Sequence, residues 1–237
     1  MAAYETSTLN VFDPDIIEYR LGKNGPGFVI VEDSIPDYTL ALIEKELSEP
    51  DVPWMTATST NTNSDGEPVE QVFEVFAHKY SHGNQERLDV MPKFRGLAGL
   101  ALKNVIKPLS LSFSSLERWT PDEIVAQRYP ESDGGLGWHR DLKRHPGVII
   151  TYSTEGERLL SVRHGGTETH HELHPGFLTI MRATGLYKPR FLSMDRIDNQ
   201  HRVSSPKGEK GSVSVTLRAN NKPNEPTPNF PHYNWIP

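Results

Sequence analysis

A histidine and an aspartate two positions apart, in the run Gly135-Leu136-Gly137-Trp138-His139-Arg140-Asp141, could together hold one metal ion. On an extended strand the single intervening residue puts both side chains on the same face. A second histidine, His201, stands far downstream, just ahead of the strand-like run Ser212 to Arg218. Two imidazoles and one carboxylate on one octahedral face, with positions left open, form the donor set of a non-haem Fe(II) centre that activates oxygen. With ten histidines in the chain, His-x-Asp alone carries little weight. His170-His171-Glu172 offers a competing His-x-Glu, but it runs straight into the turn signal His174-Pro175-Gly176. No aromatic or glycine-rich approach precedes it, so His139/Asp141 ranks ahead.

The elements that must position these residues follow from hydrophobic patterning. Gly27 to Val31 reads as a buried strand closed by Ser34-Ile35-Pro36-Asp37, and Leu40, Ile43 and Leu47 mark one face of a following helix. The run from Thr56 to Gly66 is polar without an apolar period, which predicts a mobile loop, either a surface excursion or a substrate lid. Val72, Phe73, Val75 and Phe76 suggest another strand. Pro92 suits a helix start, with Phe94, Leu97, Ala101 and Val105 continuing at helical spacing. Beyond residue 111 short apolar segments recur: Leu111–Leu116, Ile124–Tyr129, Val148–Tyr152, Leu159–Val162, Phe177–Met181 and Val213–Leu217. Many short strands in succession indicate an antiparallel sandwich or barrel. The fold expected is mostly β: two helices backing a double-stranded β-helix, or jelly roll. One domain is expected over residues 1–220, with a lead-in over 1–110 and a core from about 111. Residues 221–237 form a proline-rich tail, an extended strap held by Phe230, Tyr233 and Trp235 or a disordered end.

Composition narrows the chemistry. The absence of cysteine excludes disulfides, thiolate zinc sites and cysteine nucleophiles together. No apolar run is long enough for a membrane span. Met1 to Thr8 lacks the basic and apolar regions of a signal peptide, so a cytoplasmic protein is expected. The formal net charge of -6 counts against a dedicated nucleic-acid binder, although Arg and Lys recur from Arg182 to Lys210.

Three separated segments, in order, resemble the Fe(II)- and 2-oxoglutarate-dependent dioxygenases of the AlkB type. They are Gln127-Arg128-Tyr129-Pro130 with Gly134 to Asp141, then His201-Arg202-Val203-Ser204-Ser205-Pro206, then Ser212 to Arg218. The resemblance covers roughly residues 111 to 220. It implies iron held by His139, Asp141 and His201, with 2-oxoglutarate as cosubstrate and O2 as oxidant. It also implies that Gln127 and Tyr129, two apart on one strand face, hydrogen-bond the cosubstrate.

The resemblance further implies an arginine at the start of the last core strand to pair with the far carboxylate of 2-oxoglutarate, and a second arginine six residues later. Aligned on Thr216-Leu217-Arg218, Ser212 stands where the first belongs and Arg218 matches the second. Counted from His201, Arg218 falls at a spacing acceptable for the first. Arg218 is the expected carboxylate partner, with Ser212 and Ser214 as helpers and Arg163 and Arg182 in reserve. The segment from Thr184 to Gln200 is longer than a bare strand connection, and its Arg190 and Arg196 could line a substrate entrance or stay solvated.

The chemistry implied is hydroxylation of a substrate C–H bond, with dealkylation when that carbon is attached to nitrogen. A small molecule, a free nucleotide, a peptide and an alkylated nucleic-acid base all stand as substrates; fold does not choose among them. A jelly-roll module that only binds a ligand or protein partner is the alternative, supported by the missing second arginine. A zinc hydrolase built on the same three ligands ranks last, since no acid or base is marked nearby.

Overall fold

The computed structural model describes residues 8–9, 12–62, 68–79, 91–129, 135–141, 145–186, 200–207, 211–219 and 234–236. Helix α1 (Pro14–Leu21) starts where Asp13 accepts hydrogen bonds from the amides of Asp15 (3.0 Å) and Ile16 (3.2 Å), with Pro14 inside the first turn. It buries Ile17 and Leu21. Helix α2 (Asp37–Leu47) buries Leu40, Ile43 and Leu47, the face legible in its spacing. Helix α3 (Pro92–Ala101) has no side-chain cap of its own. Instead Glu46 of α2 accepts from the Lys93 and Phe94 amides at 3.0 and 2.8 Å, a carboxylate on the positive end of a helix. Among the described residues, then, more than the two expected helices back the sheets.

The strands are β1 (Thr8–Leu9), β2 (Phe28–Val31), β3 (Met55–Thr62), β4 (Pro68–Lys79), β5 (Glu123–Tyr129), β6 (Leu136–His139) and β7 (Val148–Glu155). They continue with β8 (Arg158–His164), β9 (Thr167–Leu173), β10 (Leu178–Arg182), β11 (Gln200–Val203), β12 (Ser212–Arg218) and β13 (Asn234–Ile236). Hydrogen bonding runs β1-β2-β10-β7-β12-β5-β4-β6-β11-β8-β9. The last eight core strands thus fall into two groups of four, β10-β7-β12-β5 and β6-β11-β8-β9, the arrangement of a jelly roll. Short turns at residues 156–157 and 174–177 carry the chain from one group to the other. The β8–β9 connection is the pair Gly165-Gly166, both at positive φ (57° and 82°), as a two-residue type I′ turn requires. The main core lies between the helices and the β10-β7-β12-β5 group, where Phe94, Leu97, Ile150, Ile180, Val215 and Leu217 are fully or almost fully buried.

Two expectations need correction. Leu111–Leu116 is not a strand: it is a turn followed by a short 3₁₀ helix, Ser114–Leu116, with Leu111 exposed and Leu116 buried. Serine hydroxyls decide this locally, since Ser110 donates to the Lys107 carbonyl and Ser115 to that of Leu186, offering the chain alternatives to a ladder. The polar run from Thr56 is strand β3 as far as Thr62, paired with β4 from Met55↔Val75 to Thr62↔Pro68. Its threonines favour extended backbone, and β13 pairs its other edge, Asn234↔Thr58 to Ile236↔Thr56. So part of the tail is a strand. Residues 63–67, and the 187–199 stretch with Arg190 and Arg196, lie outside the described residues, as do Phe230 and Tyr233.

Candidate metal centre and its pocket

Strand pairing brings the distant histidines together. His139 ends β6 and His201 stands in β11, and the two are Cα partners in an antiparallel pair. Their rings lie 4.1 Å apart, and His201 Nε2 is 3.7 Å from Asp141 Oδ2, too long for a hydrogen bond. One ligand atom from each of His139, Asp141 and His201 lies within 4.8 Å of the others, and among the described residues no other group of three His, Asp or Glu meets this way. His139 Nδ1 is 2.8 Å from the Gly137 carbonyl, which fixes that nitrogen as the N–H donor and leaves Nε2 with its lone pair inward.

The electrostatics favour the state a metal needs. Burial, then the neighbouring His201, push the His139 imidazole down to about 3, so it is neutral throughout the physiological range. Burial opposes the charge of Asp141, but His201, Arg218 and His139 outweigh it and hold the carboxyl below its usual range. A neutral imidazole at His139 and an ionised carboxyl at Asp141 are the forms in which these groups hold a borderline divalent cation such as Fe(II).

The triad opens on a cavity walled by both groups of core strands. Of the residues singled out in the sequence, Gln127, Tyr129, Ser214 and Arg218 line it. Ser212 is buried beside them but does not reach the wall; it lies under the β7–β8 turn at Gly156. Arg218 sits at the metal end, where its charge acts on His139, Asp141 and His145. Its Nε is buried without a hydrogen-bond partner among the described residues, and so is the hydroxyl of Thr179, two strands away on the same wall. Both atoms ask for a polar ligand in the space between them.

The reserve arginines are placed elsewhere. Arg163 stacks on Trp138 (3.9 Å to the ring centre) and pairs with Glu168 at 3.1 Å, while Arg182 donates to the Gly22 carbonyl at 2.7 Å behind α1. The competing cluster is likewise engaged: His170 Nδ1 is 2.9 Å from the Ser161 hydroxyl, and the His171 ring packs against Phe28.

Sequence reasoning missed Arg158, the first residue of β8. It lines the cavity, is 5 % exposed, and lays its guanidinium 3.4 Å from the centre of the Tyr129 ring. Its Nε and Nη2 donate to the Ser204 carbonyl at 3.1 and 2.8 Å. The one available signal was its position after Gly156 at a strand start.

No family model and no curated relative matches the sequence. Solved structures do match the fold. An oxidoreductase of the 2OG-Fe(II) oxygenase family from Burkholderia pseudomallei superposes with TM-score 0.60 at 12% identity, covering 90% of this chain and 96% of that one. A Trichoplax adhaerens prolyl hydroxylase, solved with a hypoxia inducible factor peptide fragment, gives 0.55 at 14% identity over 89% and 90%. A Pseudomonas putida prolyl-4-hydroxylase gives 0.53 at 14% identity over 88% and 100%. The chain thus shares the jelly-roll fold on which 2-oxoglutarate–Fe(II) oxygenases are built.

Proposed function

We propose that the protein is an Fe(II)- and 2-oxoglutarate-dependent dioxygenase that hydroxylates a substrate C–H bond, with dealkylation as the AlkB-type outcome when the carbon is bonded to nitrogen. The observation that carries this reading is the convergence of His139, Asp141 and His201 at the end of a cavity walled by both halves of a jelly roll. Bound Fe(II) would supply the coupling of O2 to oxidative decarboxylation of 2-oxoglutarate, one oxygen atom entering succinate and the other the substrate C–H bond, with release of CO2.

The chain's own residues bind, orient and exclude water. His139, oriented by the Gly137 carbonyl, and His201, aligned by its pairing with β6, would each give the metal an imidazole nitrogen. Asp141 would give the one negative donor, kept ionised by the cations around it. Arg218 places a fixed positive charge beside the open face, where an anionic chelator would arrive. Ile149, Leu160, Val203 and Met181 supply apolar wall, which strengthens every charge interaction inside.

The test is anaerobic addition of Fe(II), then 2-oxoglutarate, following the visible metal-to-ligand charge-transfer band. The parent protein develops the band and Asp141→Ala does not. Tight metal binding without any band would overturn the 2-oxoglutarate assignment. Succinate formation can then be screened across peptidyl proline, alkylated bases, free nucleotides and small amines to place the substrate.

A further inference from the structure

We propose that Arg158, from the strand opposite β12, is the anchor for the far carboxylate of the cosubstrate, so that the protein selects a 2-oxo acid carrying a second carboxylate. The proposal rests on the oxygenase reading above and adds a residue that neither the motif spacing nor the resemblance supplies.

Arg158 carries a charge that no carboxylate among the described residues pairs. A guanidinium stays ionised under any ordinary condition, and burying it without a counter-ion is costly. Arg158 is almost fully buried, yet among the described residues no carboxylate forms an ion pair with it. The partners it does have are the Ser204 carbonyl and Tyr129, whose ring it covers and with whose side chain it also hydrogen-bonds. These hold its plane in one orientation and supply no counter-charge from the described residues.

Strand register gives its place relative to the metal. On β8, Val162 is the partner of His201 and Leu160 that of Val203, so Arg158 stands four residues beyond the level of His201 on the same face. At 3.3 Å per residue that is about 13 Å along the strand. On the facing group, Arg218 lies at the metal level, while Ser212, paired with Tyr129, lies six residues away at the level of Arg158. The cavity therefore carries a cation at each end: Arg218 beside the metal ligands, and Arg158 at the end floored by Tyr129. A chelator whose far end is also anionic would span the two. The absence of an arginine at Ser212 is then made good from the opposite strand group. Gly156 allows this: its φ of 68° turns β7 tightly into β8, and its bare α-carbon lets the turn press onto Ser212.

The experiment compares 2-oxoglutarate with 2-oxopentanoate, which keeps the chelating end and replaces the far carboxylate by a methyl group. Dissociation constants are read anaerobically from the charge-transfer band of Fe(II)-loaded protein, without turnover. The parent should bind 2-oxoglutarate about 10- to 100-fold more tightly, the worth of charge-assisted hydrogen bonds. Arg158→Met should collapse that ratio toward unity and Arg158→Lys should restore part of it. Arg218→Met should weaken both ligands alike and keep the ratio. Because each ratio is taken within one variant, a generally loosened pocket does not imitate the result. A parental ratio that survives in Arg158→Met, or equal affinities in the parent, overturns the assignment of Arg158 alone. No band with either acid on the iron-loaded parent overturns the oxygenase reading and this proposal with it.

Discussion

Replacing Gly156 by alanine tests whether the β7–β8 turn is as tightly constrained as its geometry implies. Two separate costs are expected. A residue with a side chain at φ 68° incurs the left-handed penalty of about 1–2 kcal/mol. The added methyl would also stand 2.1 Å from the Gly211 carbonyl oxygen and 2.9 Å from the Ser212 α-carbon. Both are backbone atoms, so no side chain can swing aside, and overpacking of this kind adds roughly 1–3 kcal/mol. Gly165 is the matched control: at φ 57° it carries a comparable conformational cost, but a methyl group there meets nothing within 4 Å. Gly165→Ala should therefore cost about 1–2 kcal/mol and Gly156→Ala about 2–5 kcal/mol. For a chain of this size each kcal/mol lowers Tm by about 2–4 °C, so thermal denaturation of the two variants side by side resolves the difference. Gly156→Ala should also weaken 2-oxoglutarate binding, since the displaced turn carries Arg158. Equal Tm values for the two alanine variants would refute the packing argument.

Other outcomes follow from the same geometry. Anaerobic Fe(II) at 100 times its dissociation constant should stabilise the parent by about 2.7 kcal/mol, a Tm rise that chelator reverses and that Asp141→Ala abolishes. His145 is buried, and burial, then the charge of Arg218, push it down to about 4 against the attraction of Glu123, the Ala219 carbonyl and Asp141. A folded-state value below the unfolded 6.5 means stability is full above pH 6.5 and falls as pH drops toward 4, by up to 1.4 kcal/mol per pH unit. Urea denaturation of parent and His145→Gln across pH 4.5–7.5 checks this; an identical pH slope in both would exclude His145 as the source. Glu46→Gln should cost roughly 1 kcal/mol by weakening the cap on α3, measured by the same denaturation, because the amide oxygen can still accept but no longer carries charge.

How much could be read in advance depended on which physical rule each segment obeyed. The grouping of His139, Asp141 and His201 was legible because the requirement on it is local: the first two need only lie close on one stretch of chain, and His201 only on a strand that pairs with it. The strands Val148–Tyr152 and Val213–Leu217 were legible because their apolar composition matches burial on both sides. Leu111–Leu116 misled because serine side chains, not its leucines, decide the backbone there. Residues Thr56–Thr62 misled for the converse reason: backbone pairing on both edges holds a strand that has no apolar period to announce it.

Arg158 was illegible for a deeper reason, one that bears on how such sites are read. A carboxylate at the end of a narrow cavity requires a cation at a point in space, and the motif assigns that cation to one position on one strand. In a jelly roll both strand groups face the same cavity, so several positions on opposite walls can reach the same point. Losing the arginine at Ser212 therefore need not mean losing the ligand, provided another wall delivers a guanidinium and the exchanged side chains still pack. Here the serine is small, the turn above it is a glycine, and the arginine rests on the aromatic ring paired with that serine. Those three features fit together only if the Ser212 and Arg158 positions are considered jointly. In sequence they lie 54 residues apart, with nothing in composition or periodicity to link them. Swapping the charge back, with Ser212→Arg and Arg158→Met together, should restore preference for 2-oxoglutarate that Arg158→Met alone loses. Failure of the double variant to recover any preference, with its fold intact, would show that the two positions do not serve the same point in the cavity.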